Sequence, residues 1–154
     1  MAAYLHEDGL KLRQKVRAVV VNEAGEFLLV RPHGYRENEW TLAGGGVEQG
    51  ETVHQAMRRE IAEELGITLE ETIEQLPVTN RFIYGEEYKC KRALDHDGQD
   101  AAMFLVRLPC NAPLALQAEE IADARWFSRD EAALAFPVKK QREIFEACLA
   151  SLAA

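Results

Sequence analysis

The sequence predicts a single α/β domain, and three observations support this fold class. Short apolar segments rich in β-branched residues alternate along the chain with helix-like segments. A well-marked helix over residues 52–65 lies between them, and helical patterns close the chain. The length of 154 residues suits one domain that needs no disulfide or structural metal to hold its core. We therefore expect a mixed sheet with helices on both faces.

Six apolar segments predict the strands of this sheet, and turn residues separate them. The predicted strands cover residues 15–22, 27–31, 40–42, 75–84, 101–108 and 122–127. Residues 23–26 should form the turn between the first two strands, while the polar stretch 85–100 predicts a hairpin or long loop. Residues 1–13 are expected to be an N-terminal extension of one domain that spans residues 1–154.

Three helices are predicted from their end signals. Thr52 and Gln55 have the spacing of a capping box at the start of the middle helix, and Gly66 follows its last apolar residue. Ser128 can cap a short helix over residues 129–136. Pro137 can then open a final helix over residues 138–150, because proline suits the first helical turn.

Composition excludes several classes of protein. The net charge of −8 and the pI of about 5.1 argue against a nucleic-acid binder that covers phosphates with basic residues. The same charge is compatible with a site for a divalent cation or with an acidic surface that aids solubility. Three cysteines without a C-x-x-C pair indicate reduced thiols, and hence a cytoplasmic location. No apolar run approaches the length of a membrane helix, and the first ten residues lack a secretory pattern.

An acidic cluster on the middle helix is the first functional signal. At about 100° per residue, Glu63 lies about 60° to one side of Glu60 and Glu64 about 40° to the other. All three carboxylates therefore share one arc beside the apolar stripe of the helix. Like charges this close repel, so a hard cation such as Mg²⁺ could offset them. The alternative is an exposed acidic face supported by neighbouring arginines.

A glycine-rich loop at residues 44–51 precedes this helix, and glycines allow backbone to approach a ligand closely. From Gly45 to Ile67 the chain reads G-x5-E-x7-R-E-I-x-E-E-x-G-I. This segment resembles the signature of the Nudix hydrolases at every fixed position, and we call residues 45–67 the Nudix box. The matching residues are Gly45, Glu51, Arg59, Glu60, Ile61, Glu63, Glu64, Gly66 and Ile67.

The resemblance implies a Nudix-type α/β/α sandwich with a mixed sheet and the characteristic loop and helix. It also implies a pyrophosphohydrolase that uses Mg²⁺ or Mn²⁺ to cleave a nucleoside diphosphate linked to another group. A nucleoside triphosphate, an ADP-ribose-like compound, a dinucleoside polyphosphate and a capped RNA end are all candidate substrates. Apart from such an RNA 5′ end, neither a nucleic-acid nor a membrane partner is expected, and a homodimer is common in this family.

The resemblance also assigns roles within the box. Glu60, Glu63 and Glu64 become the metal ligands, with the carbonyl of Gly44 as a further ligand. Arg59 would hold Glu51 or Glu60 in place. Of the remaining fixed positions, Gly45, Glu51 and Gly66 are implied to be structural, and Ile61 and Ile67 are implied to belong to the core.

The general base is left open by the resemblance. Glu60 and Glu63 are the candidates within the box. Glu120 is the candidate from a later loop, because some members place an additional ligand or base shortly before a strand such as the one that contains Trp126. Its neighbour Glu119 could substitute, and a solvated loop is the alternative for both residues.

Substrate-binding residues are predicted from charge and aromatic character. Arg31 and Arg36 follow the second strand, where a cation could meet phosphate. Arg81 and Tyr84 could supply a charge and a stacking face for a base. The dipeptide Gly98-Gln99 before an apolar strand is similar to the branch that acts on dinucleoside polyphosphates and capped RNA.

Two other functions share this type of fold. A Nudix-like module could bind a nucleotide without cleaving it. A Nudix box that lacks some of the fixed residues would favour such a module, whereas the box of this chain is complete. Isomerase chemistry needs a reactive cysteine in the pocket, for which Cys90 is the loop-like candidate.

Overall fold

The computed structural model describes residues 1–153 and is built around a seven-stranded sheet. Ala154, the last residue of the predicted domain, lies outside the described residues. The strands are β1 (Tyr4–Glu7), β2 (Leu10–Val21), β3 (Phe27–Pro32), β4 (Ala43–Gly46), β5 (Glu74–Ile83), β6 (Gly98–Arg107) and β7 (Ile121–Phe127). The helices are α1 (Val53–Leu65), α2 (Glu86–Lys91), α3 (Arg129–Ala135) and α4 (Lys139–Ala153).

Strand β2 organises the sheet, because β1, β3, β4 and β6 all pair with it. The strand order is β5-β6-β2-β3-β7, with β1 and β4 beside β2 and off this path. The pairing of β2 with β6 is parallel and the other pairings are antiparallel. The predicted mixed α/β architecture is therefore confirmed.

Two buried clusters explain why helices cover both faces. On one face, Met57 and Ile61 of α1 pack into a cluster that includes Val16 and Phe104 of the sheet. On the other face, Phe145 of α4 lies in a second cluster that also contains side chains from β2, β3, β6 and α3. Burial of this apolar area is the main driving force that places α1 on one side and α3 with α4 on the other. None of the helices within residues 1–153 is long and apolar enough to span a membrane.

The ends of α1 are those that the sequence predicts. The Thr52 side chain accepts a hydrogen bond from the Gln55 amide, and the Gln55 side chain accepts one from the Thr52 amide. Gly66 ends the helix in the left-handed conformation, with φ of 70°, and its N–H donates to the carbonyl of Ala62. Both ends of the helix that carries the acidic cluster are therefore fixed by local chemistry.

The prediction of a glycine-rich loop was wrong in part. The glycines lie in β4, which pairs with β2 so that Gly44 faces Arg17 and Gly45 faces Val16. The predicted strand over residues 40–42 is reduced to one bridge, between Thr41 and Val30. Glycine has a low propensity for β-strands, so strand propensity does not predict β4. The glycines are present because neighbouring groups approach this strand closely.

Two further segments carry more structure than the sequence analysis assigns. Within residues 1–13, β1 and the start of β2 form a hairpin whose turn is Asp8-Gly9, with φ of 55° and 75°. Asp-Gly is the preferred pair for such a turn, so the signal was present and overlooked. The polar stretch 85–100 contains the short helix α2, and Gly98 already belongs to β6.

Removal of the capping hydroxyl tests how much of the stability of α1 is local. We expect Thr52→Ala to lower the free energy of unfolding by about 1 kcal/mol, because the Gln55 amide loses its partner. Urea unfolding followed by circular dichroism measures this change. Thr72→Ala, at an exposed loop position, is the control and should change stability by less than half as much. Equal effects of the two variants would contradict the capping argument.

Candidate active site

The predicted site lies where α1 packs against β4. A Cβ at Gly45 would overlap the Glu60 carboxylate, so any larger residue there would displace that carboxylate from its present position. Gly44 must also lack a side chain, because a Cβ there would overlap the carbonyl oxygen of Val16 on β2. The glycines thus let the helix bring its carboxylates against the backbone of the sheet.

Two of the three helix carboxylates are buried and one is exposed. The relative exposure is 8% for Glu60 and 5% for Glu64. Burial raises the pKa of the Glu64 carboxyl to about 7, although the N–H of Gly44 donates to its Oε2 at 3.2 Å. Burial also raises the pKa of Glu60, against the opposing effect of Arg59. The protein therefore holds two carboxylates where the charged form is disfavoured, which is a common property of functional sites.

Arg59 is the centre of the hydrogen-bond network around these carboxylates. Its Nε and Nη2 donate to the two oxygens of Glu51 at 2.7 and 3.0 Å. Its Nη1 donates to Glu60 Oε1 at 3.0 Å and to Glu63 Oε2 at 3.2 Å. Its Nη2 also donates to the carbonyl of Gly46 at 2.8 Å. Arg59 contacts both of the acids that the resemblance names as its partners.

Glu51 connects this network to the loop that precedes α1. Its Oε1 accepts the N–H of Glu48 at 2.8 Å in addition to the bond from Arg59. The hydrogen bond from Arg59 is the largest cause that lowers the pKa of Glu51, so this carboxylate stays ionised. A bidentate arginine–carboxylate pair fixes the geometry of both partners. The loop and the helix are therefore held together by an ion pair.

The chemistry of the donor set fits a hard divalent cation. Glu60 and Glu64 offer carboxylate oxygens, which Mg²⁺ and Mn²⁺ prefer, and a cation beside them would offset the cost of burying their charge. Within residues 1–153, however, no three acidic, histidine or cysteine side chains lie close enough together to form a ready metal group. Glu63 is exposed and bonded to Arg59, so its carboxylate would have to turn to join the two buried ones. The Gly44 carbonyl remains a predicted ligand, since the observed contact is through its N–H.

Glu120 lies close enough to this cluster to act on it electrostatically. The loop before β7 packs against the end of α1, with the N–H of Ala115 on the Leu65 carbonyl and that of Gln117 on the Glu64 carbonyl. The negative charge of Glu120 contributes to the raised pKa of both Glu60 and Glu64, after the larger effect of burial. The fold thus brings the loop that carries Glu120 to the end of α1, and the role of Glu120 stays a prediction.

The four predicted substrate residues are not brought together. Arg31 lies against the ring of Trp40, with its guanidinium 5.7 Å from the ring centroid. Arg36 is exposed in the turn after β3. Arg81 forms ion pairs with Asp100 at 2.9 Å and with Glu7 at 3.4 Å. These three arginines therefore lie in different surroundings and do not form one binding site together.

Tyr84 belongs to an aromatic cluster rather than to an open stacking face. Its relative exposure is 8%, and its ring contacts Phe82, Tyr88 and His96. Its hydroxyl accepts a hydrogen bond from Gln99 at 2.9 Å. Burial raises the pKa of this phenol. In this arrangement the tyrosine does not present a free face to a base.

Two basic residues near the box were missed by the sequence analysis. Lys15 and Arg17 lie on β2 at the positions that face Gly46 and Gly44. Burial lowers the pKa of Lys15, and Arg17 and Arg13 lower it further, while Glu60 and Glu64 oppose the shift. The signal was the alternation of Arg13, Lys15 and Arg17 in a strand, which places them on one face.

Fold and site together define a class of protein, mixed α/β domains in which a glycine strand and a glutamate-rich helix form an acidic site. A family model for the NUDIX domain matches residues 11–148. The chain therefore belongs to the Nudix hydrolase family, and the predicted membership is confirmed.

Individual relatives agree with this family. The chain is 30% identical over 117 residues to the nucleoside triphosphatase NudI of Enterobacter sp. (strain 638), which covers 72% of this chain and 79% of that protein. It is 34% identical over 110 residues to the RNA pyrophosphohydrolase of Actinobacillus succinogenes, covering 64% of this chain and about half (51%) of that protein. The fold is similar to that of the E. coli dihydroneopterin triphosphate pyrophosphohydrolase, with a TM-score of 0.74, 21% identity and coverage of 92% and 96% of the two chains.

The raised pKa of Glu64 predicts a pH dependence of stability in the absence of divalent cations. The folded state keeps a proton on Glu64 up to about pH 7, whereas a carboxyl in the unfolded chain loses it near pH 4.5. Because the folded state binds more protons in this window, its stability should fall as the pH rises from about 4.5 through about 7.

Chemical unfolding at several pH values in EDTA measures this effect. Glu64→Gln should flatten the fall, while Glu63→Gln on the exposed side of the same helix should leave it in place. A wild-type stability that rises across this window, or the same slope in both variants, would contradict the assignment to Glu64.

Proposed function

We propose that this chain is a Mg²⁺-dependent pyrophosphohydrolase, for which Mn²⁺ can substitute. Its substrate would be a nucleoside diphosphate linked to another group, cleaved by attack of water on phosphorus. The observation that carries the proposal is the pair of buried carboxylates, Glu60 and Glu64, held against a glycine strand in a complete Nudix box. A purely structural helix would not bury two acids that burial makes harder to ionise.

The proposed metal ligands are Glu60, Glu63 and Glu64, with the carbonyl of Gly44. A bound cation in such a site neutralises phosphate charge and lowers the pKa of a coordinated water. Arg59 would keep Glu60 oriented through its bond at 3.0 Å and would fix Glu51 at the start of the helix. Gly45 would leave the space that the Glu60 carboxylate occupies. These contacts supply positioning, on which phosphoryl transfer depends strongly.

Three acids stay candidates for the general base: Glu60, Glu63 and Glu120. Glu120 is exposed and acts electrostatically on the box, so it could take a proton from water and release it to solvent. Glu63 is also exposed, but Arg59 already binds its carboxylate. Glu60 is buried and bonded to Arg59, which suits a ligand better than a base that exchanges protons.

The substrates that we propose are a subset of those that the family resemblance implies. Curated relatives include proteins named nucleoside triphosphatase and RNA pyrophosphohydrolase. A nucleoside triphosphate or an RNA 5′ end would present the phosphate chain that the acidic site needs. The net charge of −8 disfavours a long contact with an RNA backbone. We therefore propose that the enzyme recognises only the 5′-terminal nucleotide of such an RNA. We also propose a cytoplasmic location. The formation of a homodimer remains a prediction.

Replacement of single box carboxylates tests the proposed metal site. Glu63→Gln and Glu64→Gln should each lower kcat by at least about 100-fold, because a ligand that orders the metal and the water is lost. Phosphate and pyrophosphate release from a panel of nucleotides, with Mg²⁺, Mn²⁺ or EDTA, measures the effect. Glu70→Gln, an exposed glutamate beyond α1, is the matched control and should keep wild-type turnover. Losses below about tenfold in both variants would place the metal elsewhere.

The same assay also separates catalysis from simple binding. Cleavage that requires a divalent cation supports the hydrolase. Tight binding of one nucleotide that stays intact after long incubation with Mg²⁺ would instead support a module that binds without cleaving.

Substitution of the late-loop acids tests the choice of base. If Glu120 takes the proton, Glu120→Gln should lower kcat by about 100-fold and remove the acidic limb of the pH–rate profile. Glu119→Gln, the neighbouring exposed glutamate, should change kcat by less than about threefold. An unchanged profile in Glu120→Gln would leave the role of base to a glutamate of the box.

A further inference from the structure

Arg13 of β2 binds three segments of backbone with one end of its guanidinium. Its Nη1 donates to the carbonyls of Val47, Gln14 and Ala3 at 2.6, 3.0 and 3.1 Å. Val47 follows β4 directly, Gln14 is the next residue of β2, and Ala3 precedes β1. A planar guanidinium holds its acceptors in fixed directions. Arg13 therefore fixes the chain after β4 against the N-terminal hairpin.

Gly46 leaves the space in which this guanidinium lies. A Cβ at position 46 would overlap Nη2 of Arg13, and the three atoms nearest to it all belong to the Arg13 guanidinium. Unlike Gly44, Gly46 does not have a positive φ, so its backbone conformation is open to other residues. Position 46 is also not one of the fixed positions of the Nudix box. The close approach of Arg13 therefore accounts for a glycine at this position.

The same short backbone segment is bound by the arginine at the centre of the acidic site. The Gly46 carbonyl accepts a hydrogen bond from Nη2 of Arg59 at 2.8 Å. Two residues on, the N–H of Glu48 donates to Glu51 Oε1, which Arg59 also binds. The segment therefore lies between two guanidiniums. Arg13 anchors it to β2, and Arg59 depends on it for part of its own position.

The two arginines approach this segment from different sides of the sheet. Side chains alternate along β2, so Arg13 shares the face of Val19, whereas Val16 packs into the cluster beneath α1. Arg59 belongs to α1 itself. A guanidinium has donors and no acceptor, so Arg13 cannot be a ligand of a cation. Its path to the acidic site therefore runs through the backbone.

We propose that Arg13 is a positioning residue for the cation site, and that it acts through Gly46 and Arg59. With the Arg13 guanidinium in place, the Gly46 carbonyl is fixed and Arg59 holds Glu60 at 3.0 Å. Without it, that carbonyl can shift, and Glu60 loses part of its orientation. The inference rests on the proposed function for the bound cation, and it adds a residue outside the Nudix box to those that hold the ligands in place.

Binding of Mn²⁺ to the full chain, followed by electron paramagnetic resonance of the free ion, tests the proposal without substrate. Arg13→Ala and Gly46→Ala should each weaken Mn²⁺ binding by about three- to tenfold. This loss is smaller than the roughly 10–100-fold typical of a direct partner of a ligand, because Arg13 acts through one further residue. Gly46→Ala keeps every charge, so its effect on Mn²⁺ binding cannot arise from a change of charge.

The double variant tests whether the two residues share one mechanism. Because Gly46→Ala acts by displacing the Arg13 guanidinium, it should change Mn²⁺ affinity by less than about twofold once residue 13 is alanine. Ser128→Ala, which removes the cap of α3 on the other side of the sheet, is the control for lost stability. It should leave Mn²⁺ affinity within about twofold of the wild-type value.

Several results would overturn the proposal. Unchanged Mn²⁺ binding in Arg13→Ala would remove the positioning role. Tighter binding would do the same, since it is the result expected from the loss of a positive charge alone. Full additivity of Arg13→Ala and Gly46→Ala, or an equal loss in Ser128→Ala, would also contradict the proposed path.

Hydrolysis of the nucleotide panel separates this inference from the proposed function. At a Mn²⁺ concentration near the wild-type dissociation constant, Arg13→Ala should lower kcat while KM for the nucleotide changes by less than about twofold. A raised KM with unchanged Mn²⁺ affinity would assign Arg13 to substrate binding and reject the positioning role. Weaker Mn²⁺ binding in variants of a chain that cleaves no nucleotide would support Arg13 and reject the hydrolase. A wild-type chain that binds no Mn²⁺ would reject both.

Discussion

The contact between the Arg59 guanidinium and its acceptors is the interaction on which the rest of the site depends. It joins the loop through Glu51, strand β4 through the Gly46 carbonyl, and helix α1 through Glu60 and Glu63. Without a positive charge in this corner, several carboxylates would face one another in partly buried surroundings. A planar guanidinium suits this task because it donates several bonds in fixed directions.

The glycine strand β4 is the second constraint, because acidic side chains approach it from α1 and basic residues lie on the neighbouring strand β2. On the side of α1, Glu60 and Glu64 are buried against Gly44 and Gly45. On β2, Lys15 and Arg17 stand opposite Gly46 and Gly44, and the two acids act to raise the pKa of Lys15 against the effect of burial. The glycines matter here because a Cβ at Gly44 or Gly45 would overlap the Val16 carbonyl or the Glu60 carboxylate.

The positions of the candidate substrate residues could not be read from the chain. Arg81 lies on β5 and Tyr84 follows the last residue of that strand. Ion pairs with Asp100 and Glu7 nevertheless occupy Arg81, and an aromatic cluster encloses Tyr84. Lys15 and Arg17 look like solvent-facing residues of an amphipathic strand. They come to lie beside the box because β4 and β6 pair on either side of β2. The alternation places these two residues on one face of β2, but long-range pairing decides which other strands and side chains lie beside them.

The sequence determined what local chemistry can fix: the capped helix α1, its stop at Gly66, the order of most strands and the set of acids in the box. Turns, caps and helical spacing depend on residues a few positions apart, so the chain alone specifies them. Tertiary structure decided that the glycine run is a strand, that Glu60 and Glu64 are buried while Glu63 is exposed, and that the loop before β7 packs against the end of α1. Those properties arise from burial and from contacts between distant segments, whose energies depend on which surfaces the fold brings together.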